Sequence, residues 1–105
     1  MPAPGNFTFI LYAPDMTNPE AFKSRMDVRA QHLQGAREHH HEGILKIGGA
    51  ILSPDAEKKM IGSIIIFEAD SIETVRKTVE EDVYYKEGVW DKEKLQIYPY
   101  QSPHL

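Results

Sequence analysis

Cysteine is absent from the chain. Disulfides, thiolate metal sites and a cysteine nucleophile are therefore excluded, and the composition suits a reducing compartment. A basic stripe is also missing. The 12 Lys and Arg are interspersed among 16 Asp and Glu, giving a formal charge of -4. With no cationic face to neutralise a phosphate backbone, nucleic acid is not an expected partner. No apolar run approaches the roughly 20 residues that a membrane-spanning helix needs. The opening "MPAPGNFTF" has neither the basic nor the apolar stretch of a secretory signal. The expectation is a cytoplasmic protein with no membrane partner. Phosphate-binding and nucleophile-elbow patterns are missing too. Gly48 and Gly49 are not part of a G-x-G-x-x-G loop, and Gly62-Ser63 lacks the G-x-S-x-G context.

What remains is ordinary globular material, 41% hydrophobic and 27% charged over 105 residues. That length allows one domain, 1–105, with a proline-rich flexible arm at 1–5 and a tail at 101–105. A domain this small buries a limited share of its surface, so dimerisation would help it. The aromatic and aliphatic run Asn6 to Ala13 reads as a strand. A helix follows from Pro19 to Glu42, with Asn18 as N-cap, Pro19 in its first position and Gly43 as its stop. Its predicted core stripe is Phe22, Met26, Ala30, Leu33 and Arg37. At about 36 Å the helix is long for the domain, so a bend or break is expected. Ile44–Leu52 and Met60–Ala69 read as strands. A helix over 71–82 is capped by Ser71 and carries Ile72, Val75 and Val79 on one face. A turn or one short helical turn over Asp82–Trp90 and a last strand, Lys94–Tyr100, follow.

The order β-α-β-β-α-β is ferredoxin-like, an α+β fold with an antiparallel sheet and helices on one face. A sheet with one wet face alternates apolar and polar residues. These strands do not. Phe7, Phe9 and Leu11 oppose Ile10 and Tyr12, while Ile61, Ile65 and Phe67 oppose Ile64 and Ile66. Two helices cover one face only, so the other should line a cavity or meet a partner. A homodimer with a pocket on the sheet is the economical expectation.

Four of the five histidines fall between Arg29 and Gly43. His39, His40 and His41 point in three directions from a regular helix and cannot chelate one ion. They read as a solvated helix end, where the dipole favours cations, and no metal site is expected. His32 flanks the core stripe. Gly35 and Ala36 leave space above it, and a mid-helix glycine costs about 1 kcal/mol relative to alanine. Close packing against another backbone or room for a ligand would each account for that glycine. From the residues alone, a half-buried structural imidazole is the simpler reading of His32. Asp82 would cap the turn that follows it, or hold an imidazole ring and fix its tautomer. Ser63 is a candidate ligand donor, though a strand serine is commonly structural. Tyr84, Tyr85, Trp90, Tyr98 and Tyr100 suit a pocket wall or a dimer seam.

Taken together, "VRAQHL", "EGILKIGGAIL", "GSIIIFEADSIETV" and "EDVYYKEGVWDKEKLQIYP" resemble the YCII-related family, from about Phe9 to Pro99. The matched positions are Tyr12-Ala13, Arg29/His32/Leu33, Gly43/Leu45/Gly48, Gly62-Ser63 and Asp82/Tyr84/Gly88/Val89. Val83 departs from the family's usual proline, which puts the aim of Asp82 in question. The resemblance implies a dimeric α+β barrel with a His–Asp active site on His32 and Asp82. It also implies small-molecule lyase chemistry of the kind some relatives perform, including dehydrochlorination of hydroxylated aromatics. The expected function is a cofactor-independent lyase or isomerase that abstracts a proton from a cyclic or aromatic substrate. His32 would be the base, Asp82 its orienting group, and Arg29, Ser63 and Tyr12 the substrate contacts. A non-catalytic metabolite-binding or dimeric interaction module is the alternative.

Overall fold

The computed structural model describes residues 2–103. Its elements are β1 (Phe7–Pro14), α1 (Ala21–His41), β2 (Leu45–Leu52), β3 (Met60–Ala69), α2 (Ile72–Glu81), α3 (Val83–Lys86) and β4 (Gln96–Pro99). The strands form one sheet in the order β2-β3-β1-β4, with every pairing antiparallel. This is the expected ferredoxin-like arrangement, and the segment before the last strand takes the helical of its two readings, as α3. Among the described residues, no helix is long and apolar enough to cross a membrane.

Strand parity divides the sheet into two faces. Phe9, Leu11 and Ala13 in β1, Ile65, Phe67 and Ala69 in β3, and Ile97 in β4 are buried beneath the helices. Their cross-strand partners follow the same parity, with Leu11 opposite both Ile65 and Ile97. The other face carries Ile10, Tyr12, Ile64, Ile66 and Tyr98 in register. After a register shift in β2 it also carries Ile47, which is 67% exposed. Both faces are therefore apolar, as the missing alternation requires.

The helices seat differently on the buried face. In α2, the Ser71 hydroxyl accepts the Thr74 N–H at 3.2 Å. Val75 and Val79 are buried, and Ile72 packs beside them, as the spacing predicts. The first helix departs from expectation in three ways. It begins at Ala21, capped at Glu20 without a side-chain bond. Asn18 instead turns its amide toward Glu20. It also runs unbroken for 21 residues. At about 31 Å it fits because the molecule is elongated, with a longest extent of 44 Å. Third, most of the predicted stripe faces outward, and only Leu33 of it is half-buried. Phe22 and Met26 are 40% and 42% exposed, while Arg25 is 3% exposed. The inward face is built from Arg25, Val28, His32 and Ala36 at helical spacing.

Gly43 ends α1 as predicted. Its φ of +85° is left-handed and suits glycine. The Gly43 N–H reaches the His40 carbonyl at 3.1 Å, and the Ile44 N–H reaches that of His39 at 2.9 Å. This crossed pair closes the helix in a Schellman motif and sends the chain directly into β2. Beside this turn, the Glu68 N–H donates to the Ile44 carbonyl at 2.8 Å, and the Glu68 carboxylate accepts from the Ala3 N–H and the Asn6 amide at 2.9 and 3.2 Å.

Candidate active site

His32 projects from the inward face of α1 toward the turn between α2 and α3. Its Nδ1 lies 2.9 Å from Asp82 Oδ1. The same carboxyl oxygen accepts the Tyr84 backbone N–H at 2.8 Å, so Asp82 caps α3 and holds the imidazole at once. Both readings of Asp82 are realised in one atom. Val83 does not disturb this. Asp82 keeps the extended backbone (φ -68°, ψ 139°) of an N-cap, and Val83 takes the first helical position, where proline is also tolerated. A carboxylate accepting the Tyr84 N–H has no hydrogen to give back. Nδ1 is therefore the donor, and the lone pair is left on Nε2.

Aromatic rings fix the imidazole plane. His32 stacks on Tyr84 with centroids 3.9 Å apart at 10°, and meets the edge of Trp90 at 6.0 Å. The Arg25 guanidinium carbon also sits over Tyr84, 4.7 Å from its centroid. Two groups this close to one ring occupy opposite faces, so Tyr84 is sandwiched between a guanidinium and an imidazole. Burial holds the Tyr84 phenol above its ordinary value, and the Arg25 charge opposes the rise.

Beneath this stack lies a polar network that the sequence did not reveal. Arg25 Nη1 binds both carboxylate oxygens of Asp15, at 2.9 and 3.0 Å. Arg25 Nη2 donates to Ser63 Oγ at 3.1 Å, and Trp90 Nε1 donates to the same oxygen at 3.1 Å. Asp15 is 6% and Ser63 is 2% exposed. Burial pushes the Asp15 carboxyl up in spite of Arg25. Arg25 Nε is buried with no partner among the described residues, at a cost of about 1–3 kcal/mol. Arg25 was legible only as the residue one helical repeat of seven before His32. A charged side chain on an amphipathic helix is ordinarily assigned to solvent.

Two cavities meet at His32. One of about 410 Å³ is lined by His32, Gly35, Glu38, Asp82 and Lys86 among others. A Cβ placed on Gly35 would meet nothing within 4 Å, so close backbone packing does not account for this glycine, and it opens onto the cavity. The second, of about 280 Å³, lies between α1 and the β2–β3 edge. It is lined by Arg25, Arg29, His32, Gly48, Ser63 and Tyr84 with several apolar neighbours. Of the expected substrate contacts, Arg29 and Ser63 join His32 here. Tyr12 does not. It pairs with Ile64 on the opposite face of the sheet and is 42% exposed, because it has the parity of Ile10 and not of Leu11.

The histidine run diverges as expected. His39 Nδ1 lies 3.3 Å from Glu42, without hydrogen-bond geometry. His40 Nδ1 meets the Leu45 carbonyl at 3.0 Å, and His41 is exposed. No group of three or more His, Asp or Glu is placed to hold a metal ion among the described residues.

The model of the YCII-related domain matches residues 8–99. The chain belongs to the YCII-related family. One relative is fusaric acid biosynthesis protein 2 of Gibberella fujikuroi, 29% identical over 98 residues and covering 90% of this chain and 92% of that one. A part of aspartate kinase FUB3 of Fusarium oxysporum is also similar. It is 29% identical over 101 residues, which span 92% of this chain but only 18% of that protein. Among solved structures, a similar one is the 5-chloro-2-hydroxyhydroquinone dehydrochlorinase TftG of Burkholderia phenoliruptrix. It superposes with a TM-score of 0.76 at 26% identity and covers 91% of this chain and 95% of that one. That structure is a complex with 2,5-dihydroxybenzoquinone. As a YCII-related protein, this chain has the α+β fold of the dimeric barrel families, with its His–Asp contact beside a cavity.

Proposed function

We propose that this YCII-related protein is a small-molecule enzyme that abstracts a proton from a cyclic, oxygen-bearing substrate, followed by elimination or isomerisation. The observation that carries this reading is the Asp82 oxygen that accepts from both Tyr84 N and His32 Nδ1. It commits His32 to the tautomer with a free Nε2 lone pair, the form a general base requires. The proton passes to Nε2. The electron pair left behind moves toward a substrate carbonyl oxygen, forming an enolate, or expels a leaving group from the neighbouring carbon. Asp82 stabilises the imidazolium as it forms. Arg29, at the rim of the smaller cavity, supplies a cation for developing negative charge. The dehydrochlorinase with which the chain shares its fold supports an elimination of this type.

Activity on a panel of hydroxylated or keto-bearing rings tests the reading. Proton abstraction is followed in D₂O by NMR, and chloride release by electrode for chlorinated members. A general base contributes about 10²- to 10⁴-fold, so His32→Ala should lower turnover at least 100-fold. Unchanged turnover in that variant would end the proposal.

The apolar outer face of the sheet supports a second reading, a homodimer in which two such faces pack together. Ile10, Tyr12, Ile47, Ile64, Ile66 and Tyr98 would form the seam. Sedimentation of the protein at micromolar concentration should give twice the chain mass. Tyr98→Lys together with Ile47→Lys should give the chain mass alone.

A further inference from the structure

A serine hydroxyl has two acceptor lone pairs and one hydrogen to donate. At Ser63 both lone pairs are taken, one by Arg25 Nη2 and one by Trp90 Nε1, each at 3.1 Å. The hydrogen is all that remains, and no acceptor for it is found among the described residues. Ser63 is nearly fully buried and lines the same cavity as His32. Its neighbours across the sheet, Ala13 and Ala50, have no polar side chain to take the hydrogen.

We propose that Arg25 and Trp90 are positioning residues that turn Ser63 into an obligate donor, so that the smaller cavity takes a ligand by an acceptor oxygen of the carbonyl, enolate or phenolate class. The Arg25 charge strengthens the arrangement. A hydroxyl that accepts from a guanidinium is polarised and donates more strongly. The Arg25–Asp15 contact keeps that guanidinium in place, since both Asp15 oxygens hold Nη1. The same occupancy denies Ser63 a nucleophilic role, because attack would need a lone pair that is already bonded. The cavity therefore discriminates by hydrogen-bond sense. An oxygen acceptor completes the network, whereas an amine donor at the same position would face another donor. The inference rests on the smaller cavity being the substrate site.

The test compares pentafluorophenol with pentafluoroaniline, two rings of similar shape and opposite hydrogen-bond sense in their phenolate and amine forms. Trp90 is the only tryptophan, so its indole N–H resonance reports directly on Ser63. The phenolate should bind at least tenfold tighter than the aniline and shift that resonance. Ser63→Ala should remove the preference, and Ser63→Thr, which keeps the hydroxyl, should restore it to within about threefold. Trp90→Phe frees one Ser63 lone pair, so the ratio should fall toward one even where overall affinity is kept. Ser63 should also stay unmodified by a serine-directed fluorophosphonate. Equal or tighter binding of the aniline, a preference that survives Ser63→Ala, phosphonylation at Ser63, or no phenolate binding at millimolar concentration would each overturn the proposal. The base assignment is read separately, from the His32 tautomer, so either can fail while the other stands.

Discussion

α1 and α2 lie on the same face of one sheet but attach to it by different means. α2 presents Val75 and Val79 with Ile72 beside them, a narrow apolar stripe that buries area and nothing else. α1 presents Arg25, Val28, His32 and Ala36, and its deepest residue is a guanidinium bonded to Asp15 and Ser63. A buried ion pair is a poor way to gain stability, because desolvation offsets much of the Coulomb attraction. Apolar residues in place of both Arg25 and Asp15 would seat the helix as well. What the charged contact adds is position. It fixes Tyr84 from one side, Ser63 from another, and so the walls around His32. One helix holds the fold and the other holds the site.

The sharpest way to break this comparison is Arg25→Ala. It leaves Asp15 buried without its cation, and denaturant unfolding should show a loss of about 3–5 kcal/mol. Val79→Ala in α2 removes two buried carbons and leaves a small void. The expected cost is about 2 kcal/mol, with the pH profile and the ligand preference of the site unchanged. If Val79→Ala disturbed the site as much as the fold, the division of labour between the helices would be wrong. Asp82→Ala removes the α3 cap, for which about 1 kcal/mol is expected by the same unfolding measurement. Turnover should fall far more than that modest loss of stability implies.

The smallest effect concerns pH. Burial raises the Asp15 carboxyl above its ordinary value. Its contribution is thus present below the unfolded value and lost as pH rises through the folded one. The Glu68 side chain has the parity of the outer sheet face. It is lowered, first by the Ala3 N–H and then by Lys46 and Asn6. Its contribution is present above the unfolded value and lost as pH falls through the folded one. Carboxyl ¹³C titration should place the two on opposite sides of the ordinary carboxylate range.

Much of the fold was legible from local rules. The aromatic and aliphatic runs marked the strands, and their lack of polar alternation pointed to the second apolar face. Ser71 and Gly43 marked helix ends by their own chemistry. The parity that placed Ile10 and Tyr12 together also rules Tyr12 out of the His32 pocket, a consequence available from the sequence. The inward face of α1 was not legible. Phe22 and Met26 form an apolar repeat that outweighs Arg25 in any periodicity argument. The partners that make a buried arginine tolerable, Asp15 and Ser63, lie 10 and 38 residues away along the chain. Helical spacing does not report contacts of that range. The His32–Asp82 pairing is separated by 50 residues and came from the family resemblance, while the geometry supplies its direction: Nδ1 inward and Nε2 free.

That direction is the central claim, and the ring nitrogens of His32 report it. Long-range ¹H–¹⁵N spectra of the neutral imidazole should show Nδ1 protonated and Nε2 bare, and Asp82→Ala should reverse or mix the two forms. A neutral His32 with its hydrogen on Nε2 in the unaltered protein would contradict the account, because the nitrogen assigned to take the substrate proton would already carry one.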